Sequence, residues 1–414
     1  MNLLRKPPLL LLLLIAGFAS CKRAAVTPNQ NKGKNLVLSA LQQQKVTADN
    51  AFTLKLFKNL DSANTGGANL FVSPLSVSFA LGMTSNGANG ATLTAFKNTL
   101  DFAGLTQAQV NDYYNNLITN LPELDPNTTL NIANSIWYRQ GFSVLPQFLQ
   151  TDSSYFHAQA QSLDFTNPSA PGTINNWVNT ETHGKIPSII TTIPSNAVMY
   201  LVNAMYFKST WKEKFDPAQT QTQPFYLADN SQVQASFMTG NLDFNYYNDN
   251  TVYVYELPYS NNKYSMVIVM PVNGGAVKDV VAGCDPVKWQ TWMSGLVSIH
   301  NTITLPKFKF SYSVTLNNAL TNLGLGIAFT DIADFSLINA TVPLKISEVK
   351  HKAFVETDES GTTAAAATSV GIVVATAPAP MPPINHPFMF AIREMSSGLI
   401  VFAGTVNNPL LTGN

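Results

Sequence analysis

The residues with the plainest chemical purpose in this 414-residue chain lie between Glu359 and Arg393, and the chemistry they suit is that of a peptide bond offered to a protease. No Asp, Glu, Lys or Arg occurs between those two positions. The run opens Glu359-Ser360-Gly361-Thr362-Thr363-Ala364-Ala365-Ala366-Ala367-Thr368, all small after the glutamate. Taken alone, Ala364 to Ala367 fits a turn of helix or a low-complexity linker equally well, since Ala is the best helix former. The residues that follow favour an extended path: Val370, Ile372, Val373 and Val374 prefer strand, and Pro378, Pro380, Pro382 and Pro383 enforce a polyproline-like course. Proteases hold substrates extended, and small uncharged side chains are what a strand needs if it is to slide into a sheet. The segment reads as bait joined to a spring.

Composition bounds what the rest of the chain can be. With 45% hydrophobic and 12% charged residues it can bury a large core, and no Gly/Ser-rich or charged linker divides residues 45 to 408. One large domain over 45–410 is expected, with the loop at about 359–383. A net charge of zero and scattered Lys and Arg exclude a nucleic-acid-binding surface, which needs a clustered basic face. The five His and two Cys show no metal-ligand spacing, and no phosphate-cradling glycine motif is present, so neither metal nor cofactor is expected.

Residues 1–20 read as an export leader. Arg5 and Lys6 precede an apolar core from Leu9 to Ile15, too short to span a bilayer, and Ala16-Gly17-Phe18-Ala19-Ser20 leads to Cys21. This resembles a bacterial lipoprotein leader, with cleavage before Cys21 and lipid on its thiol. Ordinary leader cleavage with Cys21 incidental is the alternative, because Phe18 stands where Leu is usual. The expectation is an exported domain held by lipid to a bacterial membrane, at the cell surface or in the periplasm, on a polar tether over 21–44. Loss of Arg5 and Lys6 leaves acidic residues in excess by two. Cys284 is then the only other thiol, so no intrachain disulfide is expected.

The elements that must position the loop alternate between helix and strand. Thr47 can cap a helix bearing Phe52, Leu56 and Leu60, and Ser73-Pro74 opens a second that runs through Met83 to Asn86-Gly87. Leu130–Tyr138, Ala197–Phe207, Tyr264–Met270, Thr302–Leu305 and Phe388–Ile392 read as strands, several apolar on both faces and therefore central. The fold class is α+β with at least one large sheet.

Six blocks, in order along residues 45 to 409, carry a family resemblance: Phe71-Val72-Ser73-Pro74-Leu75-Ser76, Asn134-Ser135-Ile136-Trp137, Leu201 to Lys208 with Trp211, Leu305-Pro306-Lys307, Val349 to Ala353, and His386-Pro387-Phe388-Met389-Phe390. With the run at Glu359 to Thr368, the chain resembles an inhibitory serpin. The resemblance implies three β-sheets, eight or nine helices and an exposed reactive-centre loop above a five-stranded central sheet. It implies a monomer whose partner is a protease, trapped as an acyl-enzyme when the cut loop inserts as a new strand. In a strand, Thr362, Ala364, Ala366, Thr368 and Val370 share one face, and nothing bulky or charged precedes Val370. At about 0.5 to 1.5 kcal/mol per hydrogen bond, some 14 inserted residues could release on the order of 10 kcal/mol.

By the family's spacing from Glu359 the cut falls at Ala375-Thr376; counted back from Pro387 it falls one residue later, after Thr376. Either way Ile372, Val373, Val374, Ala375 and Thr376 flank it, which suits the shallow apolar pockets of elastase-like or subtilisin-like serine proteases, with cysteine proteases that prefer Val a lesser choice. The resemblance also puts Ser73, Ser76, Asn203 and His351 together as a shutter beneath the sheet. Trp211, Lys307 and Glu359 would stand at the breach where the loop enters. A Ser/His hydrolase built from these residues is disfavoured, since no Gly-x-Ser-x-Gly elbow exists. The remaining alternative is a non-inhibitory serpin that is a protease substrate or binding protein.

Overall fold

The computed structural model describes residues 33–102, 104–362 and 381–413. The leader, Cys21 and the first half of the tether, residues 21–32, thus lie outside the described residues. Ser39, not Thr47, caps the first helix, α1 (Ala40–Ala63): its side chain accepts from the Gln42 N–H while the Gln42 side chain accepts from the Ser39 N–H. This reciprocal capping box starts the helix two turns early, so residues 40–44, assigned to the tether from sequence, belong to the folded body. Phe52, Leu56 and Leu60 form its buried face. Ser73 and Pro74 open α2 (Pro74–Asn86) as read from sequence, with the Ser73 side chain accepting from Ser76 N–H.

Further helices are α3 (Gly90–Thr99), α4 (Gln107–Asn120), α5 (Pro146–Phe156), α6 (Ala170–Glu181), α7 (Val277–Gly283), α8 (Pro286–Gly295) and α9 (Asn317–Leu320). The strands are β1 (Leu70–Val72), β2 (Thr129–Arg139), β3 (Gln159–Leu163), β4 (Met199–Thr210), β5 (Gln221–Tyr226), β6 (Gln232–Asn248), β7 (Val252–Pro258), β8 (Tyr264–Pro271), β9 (Val297–Pro306), β10 (Phe308–Thr315), β11 (Lys350–Asp358), β12 (Gly361–Thr362), β13 (Phe388–Glu394) and β14 (Ile400–Val406). None of the described helices is long and apolar enough to cross a membrane.

Hydrogen bonding connects these strands into two paths rather than three separate sheets. One runs β1-β14-β13-β8-β7-β6-β5, with β9 also on β6. The 17-residue β6 is the cause: its first residues pair with β5, its middle with β9 and its end with β7, fusing what would otherwise be two sheets. Strands β8 and β14 are buried along their whole length, in keeping with sequences that are apolar except at Ser265 and Thr405.

The second path, β10-β11-β12-β4-β2-β3, is the central sheet. Its inner face packs on the main core through Met205, Phe207, Ala353 and Val355. Its outer face is covered by α6 and the chain that follows, where Ile174, Val178, Ile186 and Ile190 pack on Trp137, Val202 and Ala204 in a second core.

Candidate functional site

The central sheet contains a slot. Among the described residues β4 and β11 are joined only through β12, two residues long: Thr362 pairs with Thr357 on β11 and Ser209 on β4, and Gly361 with Asp358 and Thr210. Strand neighbours stand about 4.8 Å apart, so β12 wedges the two edges roughly one strand's width open. Further down, a cavity of about 680 Å³ lies between the same edges, lined by Met199 to Asn203, Lys345 to Lys352, Ile189 and Ile190.

Side chains that flank the ends of β4, β5, β7 and β9 hold the mouth of the slot. Trp211 donates its indole N–H to the Asp358 carbonyl at 2.9 Å and its backbone N–H to the Ser360 carbonyl at 2.9 Å. Its ring stacks on Tyr259 at 4.7 Å between centroids, and the Tyr259 hydroxyl lies 2.6 Å from that of Thr362. Lys307 donates to both Glu359 carboxylate oxygens at 3.0 and 2.8 Å, and Thr220 adds a bond of 2.7 Å. Burial pushes the Glu359 carboxyl upward, but the Lys307 and Thr220 bonds outweigh it and hold the group below its ordinary value.

Gly361 has to be glycine here for two reasons. Its φ of +147° is unfavourable for an L side chain, and a Cβ would collide with the Ser209 carbonyl and stand 2.6 Å from Thr210 Cα.

At the lower end a second polar cluster ties α2 to both edges. Ser73 N–H donates to His351 Nε2 at 3.0 Å, so His351 is neutral with its proton on Nδ1. Complete burial pushes its pKa down to about 4. Ser76 Oγ donates to Asn203 Oδ1, and Asn203 donates to Asn134 Oδ1 at 2.8 Å. Asn134 in turn donates to the Phe156 carbonyl at 2.7 Å.

This geometry cannot activate a serine. Ser73 Oγ donates to the Val401 carbonyl at 2.9 Å and accepts from Ser76 N–H, while the acceptor nitrogen of His351 is occupied by a backbone N–H. Among the described residues no group of three or more His, Cys, Asp or Glu could hold a metal ion.

Of the residues singled out from sequence, Ser73, Ser76, Asn203 and His351 are brought together at one end of the slot. Trp211, Lys307, Glu359, Gly361 and Thr362 meet at the other. Thr363 to Thr368, Ile372, Val373, Val374, Ala375 and Thr376 lie outside the described residues. Sequence reading missed Tyr259, Thr220 and the place of Asn134 in the lower polar cluster. Asn134 stands inside a block already picked out, so its neighbours Ser135 and Trp137 offered a signal; Tyr259 and Thr220 gave none, because their partners are more than a hundred residues away.

Comparison with known proteins agrees with this architecture. The family model described as "Serpin (serine protease inhibitor)" matches residues 47–409. Human leukocyte elastase inhibitor is 34% identical over 387 residues, covering 89% of this chain and 100% of that protein. Human Serpin B11 is 31% identical over 388 residues, covering 88% and 99%. The native-state structure of the thermophilic serpin tengpin superposes with a TM-score of 0.81 at 31% identity, covering 91% of this chain and 96% of that one. On the strength of the slot, the wedged β12 and a match that spans the folded body, the chain belongs to the serpin family.

Proposed function

We propose that this protein is a suicide inhibitor of serine proteases of elastase-like or subtilisin-like specificity, acting as an inhibitor rather than a catalyst. The observation that carries the reading is β12: the first two residues after Ser360 already occupy the slot between β11 and β4. A protease that attacks the loop becomes esterified to its carbonyl carbon, and the chain beyond the cut gains a new N-terminus while staying held in the fold through β13 and β14 until the protein is denatured. The freed segment can then extend β12 downward before water reaches the ester.

The register of β12 supports this path. Thr362 lies opposite Thr357 and Ser209; six residues further along the same antiparallel pairing, position 368 would stand opposite His351 and Asn203. Thr368 is the last of the small hinge residues and carries a hydroxyl. Its arrival would exchange the shutter's α2 contacts for contacts with the new strand, which fits a cluster that stays closed until insertion. Some 14 residues at about 3.3 Å each would reach about 45 Å, enough to carry an attached protease across a domain.

Specificity rests on Ile372, Val373, Val374, Ala375 and Thr376, with cross-inhibition of Val-preferring cysteine proteases a secondary outcome. The relative named leukocyte elastase inhibitor agrees with small aliphatic residues at the cut. Incubation with an elastase, followed by sequencing of the released C-terminal peptide, tests the bond: a start at Thr376 or Ala377 fits, and a start elsewhere overturns the assignment. The reading includes display on a bacterial membrane through lipid on Cys21, for which the test is fatty-acid labelling that disappears in Cys21→Ala.

A further inference from the structure

The chain following α6 is fastened to both edges of the slot. On the β2–β4 side, Asn131 donates to the Glu181 carbonyl at 2.8 Å, and the His183 ring lies 4.8 Å from that of Tyr206. Across the slot, Lys185 Nζ donates to Glu356 Oε2 on β11 at 3.2 Å and stands 4.9 Å from the Phe354 ring centre. Glu356 also accepts from Lys309 on β10 at 2.9 Å, so its carboxylate is held from both sides. Residues 181–185 thus form a strap over the outer face of the sheet, with Lys185 its attachment to the far edge.

A strand that lengthens β12 must pass beneath this strap. Glu356 is the residue of β11 next below Thr357, which Thr362 already faces. The first backbone to enter would therefore run directly under the Lys185–Glu356 contact. We infer that Lys185 is a positioning residue whose ion pair with Glu356 clasps the strap across the slot, so that release of this pair sets how fast the loop inserts. The inference rests on the inhibitory reading above, because it matters only if the loop enters the slot.

The side chains of Lys185 and Glu356 are 28% and 23% exposed, so salt reaches the pair and its strength is that of a partly screened contact. Its loss corresponds to about a two- to fivefold change in rate. In the test, the loop is cut by a thermolysin-type metalloprotease, which forms no acyl-enzyme, and insertion is followed by stopped-flow tryptophan fluorescence. Lys185→Met should insert about two- to fivefold faster than wild type in 50 mM salt, with the difference closing in 1 M salt, and Lys185→Arg should keep the wild-type rate. Equal rates in Lys185→Met and wild type at low salt would overturn the clasp. So would a difference that persists undiminished at 1 M salt, which marks a packing role. If wild type itself shows no fluorescence change and no gain in heat resistance after cutting, insertion fails, and the inhibitory reading falls with the clasp.

Discussion

The hydroxyls of Tyr259 and Thr362 lie 2.6 Å apart, both buried, at the point where the loop leaves the central sheet. Tyr259 is fixed by its stack on Trp211, and Trp211 is fixed in turn by bonds to the Asp358 and Ser360 carbonyls. One aromatic pair therefore holds the backbone before Gly361 and the side chain after it, which keeps β12 seated between β11 and β4.

Tyr259→Phe keeps the stack and removes the hydroxyl, leaving Thr362 Oγ1 buried without this partner. The expected loss is about 1 to 2 kcal/mol in native stability, measured by denaturant unfolding. No change in the unfolding midpoint would mean that the hinge is not held by this bond.

Thr362→Arg puts a long cation where Tyr259, Ser209 and Thr357 close on the hinge. An uncompensated charge cannot enter there cheaply. The variant should still be cut by elastase but should release it as an ordinary substrate, giving at least a tenfold rise in the moles of inhibitor consumed per protease. Unchanged trapping would exclude insertion through this mouth.

Gly361→Ala should expel the hinge from the slot, because its Cβ collides with the edge of β4. Faster proteolysis at residues 359–362, with weaker trapping, is the expected pair of outcomes; wild-type protease resistance at these residues would contradict it.

His351 gives a pH dependence whose sign follows from its burial. Its pKa is pushed from 6.5 down to about 4 by burial, so the unfolded chain takes up the proton first. The stability tied to neutral His351 is complete above pH 6.5 and declines as pH falls towards 4, by about 3 kcal/mol in all. Protonation also removes the acceptor for the Ser73 N–H. Unfolding measured from pH 7 to pH 4 should lose this slope in His351→Asn, and an unchanged slope would assign it to other groups.

How far the sequence reached can be followed at particular residues. Ser73 and Pro74 announce α2 because capping is a local property, and the apolar runs within β8 and β13 announce central strands for the same reason. The start of α1 was misplaced because Thr47 is an acceptable cap; Ser39 prevails through Gln42, whose reciprocal bond lies in a stretch polar enough to read as tether. The fusion of two sheets by β6 was invisible, since a 17-residue strand that changes partners twice has no periodicity to mark the changes. Motif blocks pointed to Ser73, Ser76, Asn203, His351, Trp211 and Lys307, and the uncharged run pointed to Glu359, all of which the structure places at the two ends of the slot. What they could not deliver was that Gly361 and Thr362 already stand between β11 and β4, which depends on backbone pairing between segments about 150 residues apart.

The most direct measurement is a denaturing gel of the purified folded body after brief incubation with excess and limiting elastase. Trapping by insertion gives a band at the summed mass of protein and protease that survives boiling in detergent, together with a released C-terminal peptide. Complete cutting of the loop with no such band, at every ratio and with the protease still active, would contradict it.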